Sequence, residues 1–218
     1  MVNRRHLQFP QRPELHMISA QRIDISGLIR VAEAVLPFVD YIHVRDRQSS
    51  AKELLETVRR LQQSGVPPEK IVVNDRLDVA LAAGAAGVHL AGHSLPPADA
   101  RPLVPGMRMG CSVHSAEEAA TAASQGADYC LFGHVYNSAS KPGLPGRGLG
   151  LLAEAAQACP VPVLAIGGIR PDNAGDVIRS GAQGIAILSG LYHAANPNPA
   201  AQAEAYRAAI QAAWLERR

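Results

Sequence analysis

Eight short β-branched, apolar runs, separated by Ala-, Leu- and Glu-rich stretches, constrain the fold of this chain most. The runs are Leu15–Ser19, Tyr41–Arg45, Ile71–Asn74, Gly87–Leu90, Met107–Ser112, Tyr129–Gly133, Val163–Gly167 and Gly184–Ser189. Strands that alternate with helices build βαβ units and a parallel sheet. The intervening stretches carry helix signals. Ser50-Ala51-Lys52-Glu53 reads as a capping box, and Leu54, Leu55, Val58 and Leu61 follow on one face. Ser115-Ala116-Glu117-Glu118 repeats the box. Pro171 stands where a helix-starting proline is tolerated, with Asp172 favouring the dipole. The Ala-rich tail from Ala200 to Leu215 reads as the last helix.

Three return loops share one form: Ala83-Gly84-Ala85-Ala86-Gly87, Gln125-Gly126-Ala127-Asp128 and Ser180-Gly181-Ala182-Gln183-Gly184. Each is a helix end, a glycine free to take positive φ, and a strand start. Repeated βα units argue for one architecture. The open doubly wound sheet is the alternative. Eight strands without a topological break favour closure, so the fold class is α/β, a single (β/α)₈ TIM barrel. The 218 residues suit one such domain, assigned to 14–218 behind an N-terminal extension, 1–13.

A 47% hydrophobic content excludes disorder, and a net charge of +2 gives no reason to expect nucleic acid. The first 13 residues have no apolar core of a signal peptide, and no run reaches the ~20 apolar residues of a membrane span. Cys111, Cys130 and Cys159 are odd in number and flanked by apolar residues, which reads as buried thiols. The expected location is cytoplasmic, with no membrane partner. A homo-oligomer is left open.

Barrels of this kind place their chemistry at the C-terminal strand ends. After strands seven and eight come Gly167-Gly168 and Ser189-Gly190. Their backbone N–H groups can approach an anion closely, and a short following helix would add its positive end. A simple chain turn is the bland alternative. On strand two, alternation puts His43 and Arg45 on one face, toward the barrel mouth, and Ile42 and Val44 on the other. A strand arginine needs a partner, which is Asp46, Asp75 or an anionic ligand. Asp75 alone is a weak metal signal. His134 follows Gly133 at the end of strand six and can exchange protons near neutral pH, or be satisfied by a backbone carbonyl. The following loop, Asn137–Arg147, carries Lys141 and Arg147 and reads as a lid or a solvated loop. His43, His89, His93, His114 and His134 lack zinc spacing, so no metal and no cofactor are assigned.

From about Leu15 to about Leu191 the chain resembles the superfamily of thiamine phosphate synthase and the thiazole tautomerase TenI. The resemblance is carried by His43-Val44-Arg45-Asp46-Arg47, Asn74-Asp75-Arg76-Leu77-Asp78-Val79-Ala80-Leu81, Gly87-Val88-His89-Leu90, Ala127-Asp128-Tyr129, Ala165-Ile166-Gly167-Gly168-Ile169 and Gly184-Ile185-Ala186. Synthases typically read Gln-Leu-Arg-Glu-Lys on strand two, where this chain has His43 and Arg47 at the Gln and Lys positions. They carry a Mg²⁺-binding aspartate after strand four, where this chain has Ser94. After strand six they read Gly-Pro-Ile-Phe-x-Thr-x-Thr-Lys, against Gly133-His134-Val135-Tyr136-Asn137-Ser138-Ala139-Ser140-Lys141 here. Ser112-Val113-His114-Ser115, Leu131–Val135 and Gly146-Arg147-Gly148 resemble TenI more.

That resemblance implies a thiazole tautomerase of thiamine biosynthesis, an isomerase. His134 would shift a proton on a carboxylated dihydrothiazole ethyl phosphate to give the aromatic carboxythiazole phosphate. Gly167, Gly168, Ser189 and Gly190 would hold the phosphate. Lys141, Arg45 and Ser112 are alternatives for the carboxylate, and Asn74 joins the substrate-binding set. The expected partner is a small phosphorylated thiazole. The alternatives are a Mg²⁺-dependent thiamine phosphate synthase, with Ser94 against it, and a non-catalytic metabolite-binding homologue.

Overall fold

A computed structural model describes residues 10–19, 24–138, 140–192 and 198–217. Most of the proposed extension, residues 1–9, lies outside them, as does Ala139 of the strand-six loop. The strands are β1 (Glu14–Ile18), β2 (Tyr41–Val44), β3 (Ile71–Asn74), β4 (Gly87–Leu90), β5 (Arg108–Val113), β6 (Tyr129–Gly133), β7 (Val163–Ile166) and β8 (Gly184–Ile187). They pair in parallel in chain order and close, with Glu14 beside Gly184 and Met17 beside Ile187. The chain is therefore a (β/α)₈ barrel, as the alternation predicts.

The helices are α1 (Ile25–Val35), α2 (Ala51–Gln63), α3 (Leu77–Ala83), α4 (Pro97–Ala100), α5 (Ala116–Ser124), α6 (Gly148–Ala158), α7 (Ala174–Arg179), α8 (Ser189–Tyr192) and α9 (Pro199–Glu216). The capping box at Ser50 is complete, and Leu54, Val58 and Leu61 of α2 are buried against the strands. At α5 only half of the box forms. Ser115 accepts from the Glu118 N–H, but the Glu118 carboxylate turns to His114, accepting from its N–H at 2.7 Å. The helix expected at Pro171 starts later, at Ala174, because residues 171–173 form a turn and the Asn173 side chain accepts from the Arg170 N–H at 2.8 Å. Strand eight stops at Ile187, and Ser189 opens a four-residue helix instead of ending the strand.

The main apolar core lies between strands and helices, where Val58, Val73, Met109, Leu152 and Ile185 are fully buried. The three cysteines are buried free thiols, and the barrel brings the Cys130 and Cys159 sulfurs to 3.9 Å although 29 residues separate them. Among the described residues no helix is long and apolar enough to cross a membrane.

The barrel interior is partly polar. At its N-terminal end, one Arg108 nitrogen donates to both Glu14 oxygens at 3.1 and 2.8 Å, and the guanidinium lies 4.5 Å from the rings of Tyr41 and Tyr129. Above it, His16 Nε2 is 2.9 Å from Glu14, and His16 Nδ1 is 3.0 Å from His43 Nε2. His89 bridges the Tyr129 hydroxyl at 3.3 Å and the Ser112 hydroxyl at 2.9 Å. Burial raises the Glu14 pKa, but the hydrogen bond from His16 and the charge of Arg108 outweigh it and hold the carboxyl at about 2. Burial pushes His89 down to about 3 and lowers His16 and His43 as well. His43 thus faces inward, as alternation predicts, but is sealed beneath the mouth instead of opening to it.

Candidate active site

The C-terminal strand ends surround a cavity of about 660 Å³, a size suited to small-molecule ligands. Its wall includes Arg45, Asn74, Ser112, His134 and Lys141, and also Gly167, Gly168, Ser189 and Gly190. One chamber therefore gathers every residue that the sequence nominates for catalysis or substrate binding, while His43 and Arg147 lie outside its wall.

On the β7–β8 side, Gly167 and Gly168 have φ of 101° and 66°. Among the described residues, no protein acceptor meets their N–H groups, so both remain available to an anion. The glycines also have a packing role. A Cβ on Gly167 would stand 2.3 Å from the His134 Cβ, and one on Gly168 would stand 2.5 Å from the Asn137 carbonyl oxygen. Gly168→Ala should therefore cost about 2–5 kcal/mol through left-handed strain and overpacking. It should also raise the KM for a phosphorylated substrate. Thermal melts and steady-state kinetics on the same variant check both effects, and an unchanged KM would remove Gly168 from the cradle.

Across the barrel, the ends of β2, β3 and β4 build a second polar group. Asp75 follows Asn74 with φ of 66°, a conformation that aspartate tolerates better than most residues. The Ser94 hydroxyl donates to Asp75 Oδ1, while His93 Nε2 lies 3.0 Å from Oδ2. His93 therefore carries its hydrogen on Nε2, which leaves Nδ1 to accept from Arg47 at 3.2 Å. Arg45 makes no ion pair among the described residues. Asp46 accepts instead from the Gln48 N–H and the Ser49 hydroxyl, both at 2.9 Å. Burial and then the charge of Arg47 lower the Arg45 pKa. The charges of Asp75 and Asp46 offset this in part without pairing with Arg45, which leaves a partly buried guanidinium on the cavity wall.

His134 lies on the wall between these groups. Its Nε2 is 3.3 Å from the Leu144 carbonyl and donates to it, while Nδ1 is buried without a partner among the described residues. The strand-six loop is tied at its base, where the Arg147 N–H donates to the His134 carbonyl at 2.9 Å and the Gly146 N–H to the Asn137 side chain at 2.7 Å. Lys141 sits exposed at the rim.

Among the described residues, no three His, Cys, Asp or Glu side chains converge as a metal cage. Asp75 supplies the carboxylate on the described cavity wall. Mg²⁺ commonly keeps its waters and binds through one or two carboxylates plus substrate phosphate oxygens. The donor set fits a cation that arrives with a phosphate ester, and does not fit one held by protein alone. Arg47 and His93 join this wall outside the set of site residues expected from sequence. The two-residue spacing of Arg45 and Arg47 at a strand end was the available signal.

Fold and site together define a (β/α)₈ barrel whose mouth carries glycine N–H groups without acceptors at the end of β7 and basic side chains opposite. The profile of the thiamine monophosphate synthase family, TMP-TENI, matches residues 15–191, and the chain belongs to that family. It is 42% identical over 162 residues to the thiamine-phosphate synthase of Anaeromyxobacter dehalogenans, covering 73% of each chain. It is 39% identical over 199 residues to that of Chlorobium luteolum, covering 88% of this chain and 92% of the relative. A solved thiamine phosphate pyrophosphorylase from Pyrococcus furiosus superposes with a TM-score of 0.79 at 30% identity, covering 92% of this chain and 96% of that one. These findings overturn the expected isomerase. The similar relatives bear the synthase name and not that of a thiazole tautomerase, so the substitutions at His134 and Ser94 do not mark the isomerase branch.

Proposed function

We propose that this chain, through its 14–218 barrel, is a thiamine-phosphate synthase that joins a thiazole phosphate to a pyrimidine pyrophosphate. The observation that supports the reading is one cavity with acceptor-free glycine N–H groups at the end of β7 and the guanidinium groups of Arg45 and Arg47 across from them, which we read as two anion stations. A reaction between a monophosphate and a pyrophosphate uses both sides of the cavity, and the synthase name of the similar relatives favours it over an isomerase, whose carboxylated monophosphate would span them too.

The thiazole nitrogen attacks the methylene carbon that bears the pyrophosphate. A C–N bond forms, the C–O bond breaks, and its electron pair leaves with pyrophosphate. No proton changes hands, so the site needs no acid or base. His134, donating to the Leu144 carbonyl, then serves to hold the loop that carries Lys141. Gly167, Gly168, Ser189 and Gly190 fix the thiazole phosphate and thereby aim the ring nitrogen. Arg45, Arg47 and Lys141 meet the charge that grows on the leaving group. Asp75 would hold Mg²⁺, which when bound offsets charge on the pyrophosphate.

The two stations can be tested by calorimetry. Inorganic pyrophosphate with Mg²⁺ and thiazole phosphate should bind together, each leaving the other's Kd nearly unchanged. Mutual exclusion would mean one shared station and would contradict the reading.

A further inference from the structure

The barrel interior holds a hydrogen-bonded chain that the reaction above does not use. It starts at Glu14, whose two oxygens both accept from Arg108, so this carboxylate acts as an acceptor. His16 Nε2, 2.9 Å away, must therefore carry a hydrogen. With a neutral ring, His16 Nδ1 is bare and accepts from His43 Nε2 at 3.0 Å. His43 then has its hydrogen at Nε2 and is bare at Nδ1. Opposite that nitrogen, at 3.2 Å, stands the Asn74 carboxamide with Oδ1 toward it. Two acceptors cannot bond. A half-turn about the last torsion of Asn74 brings its NH₂ to His43 and its oxygen into the cavity.

The neutral state follows from the surroundings. His16 and His43 have no solvent exposure, and their ring centroids are 5.1 Å apart. His89 lies 5.5 Å from His43, and Tyr41 and Tyr129 close around His16 at 4.9 and 5.5 Å. The nearest carboxylate, Glu14, is already paired with Arg108. An added proton on either ring would sit unsolvated beside further donors.

We propose that Glu14 and His16 are positioning residues: acting through His43, they hold the Asn74 carboxamide oxygen toward the substrate, so that this point of the wall selects an N–H donor. The inference rests on the synthase reading for the identity of that donor, the exocyclic amine of an aminopyrimidine. Asn74 lines the cavity, while Glu14 and His16 do not, so their influence on Asn74 is indirect and the hydrogen-bonded chain is its shortest route.

Two measurements test this. Long-range ¹H–¹⁵N correlation spectra of the full, ligand-free chain at neutral pH report which ring nitrogens are protonated. Hydrogen on Nε2 of both His16 and His43 is expected, and hydrogen on His43 Nδ1 would overturn the proposal. Kinetics then compare the aminopyrimidine pyrophosphate with the same compound lacking the amine. In Glu14→Gln, whose side chain can donate or accept, the KM preference for the amine should fall roughly 2–10-fold, the worth of one neutral hydrogen bond. Equal losses for both substrates would mean a merely structural role and overturn the proposal. If the natural chain turns over neither substrate, the synthase reading fails, and the spectra still decide the chain. They also decide it if the variant does not fold.

Discussion

Asp75→Asn should lower kcat by about 10²–10³-fold at saturating Mg²⁺, the scale of losing one preorganised electrostatic contact to a transition state. Asparagine keeps the tolerance for the left-handed backbone that Asp75 adopts at φ 66°, and it still accepts a hydrogen bond from Ser94. The fold should therefore survive, with a melting temperature close to that of the natural chain. What is lost is the negative charge, and with it the carboxylate for a cation accompanying pyrophosphate. Steady-state kinetics with Mg²⁺ varied from micromolar to millimolar check this. The half-saturating Mg²⁺ concentration should rise together with the fall in kcat. A variant with normal kcat and normal Mg²⁺ dependence would move the leaving-group contact elsewhere on the wall.

The second large effect concerns stability in acid. Unfolded histidines take up a proton near pH 6.5, whereas burial keeps His89 neutral down to about 3. Between those values the unfolded chain binds more protons, so stability falls as the pH falls. Each such imidazole changes stability by about 1.4 kcal/mol per pH unit, and His89 alone spans on the order of 5 kcal/mol over its window. His16 and His43 are shifted in the same direction by burial. Glu14 adds a second phase. Its stabilisation is present above the unfolded value of 4.5 and is lost as the pH drops toward 2. Against a typical total of about 5–15 kcal/mol, the domain should unfold in mild acid. Urea melts at pH 7 and pH 5 measure the loss, and His89→Gln should flatten the slope by about one proton. An unchanged slope would mean that His89 is already protonated in the folded barrel.

The barrel was legible in the sequence because each βα unit is specified locally. The alternation of β-branched runs with capped helices needs no long-range information, and the Ser50 box forms as written. That Gly167 and Gly168 turn at the cavity wall with positive φ was legible from fold position plus residue type. The branch of the family was not. Two single positions, Ser94 and His134, point away from the family name that the chain as a whole carries. Neither side chain's role is set by its neighbours in sequence. Ser94 hydrogen-bonds Asp75, 19 residues away, and His134 is engaged by Leu144 from across its own loop. The polar interior was half legible. Alternation on β1 puts Glu14, His16 and Ile18 on one face, and on β2 it aligns Tyr41, His43 and Arg45. How deep in the barrel that face is sealed depends on all eight strands at once.

Two anion stations in one cavity are proposed to bring a thiazole phosphate and a pyrimidine pyrophosphate together for group transfer. ³¹P NMR of the purified chain with both compounds and Mg²⁺ tests it most directly. Pyrophosphate and thiamine phosphate should appear in equal amounts, and neither should form when either substrate is withheld. Persistence of both starting phosphorus signals, with both compounds shown to be bound, would contradict it.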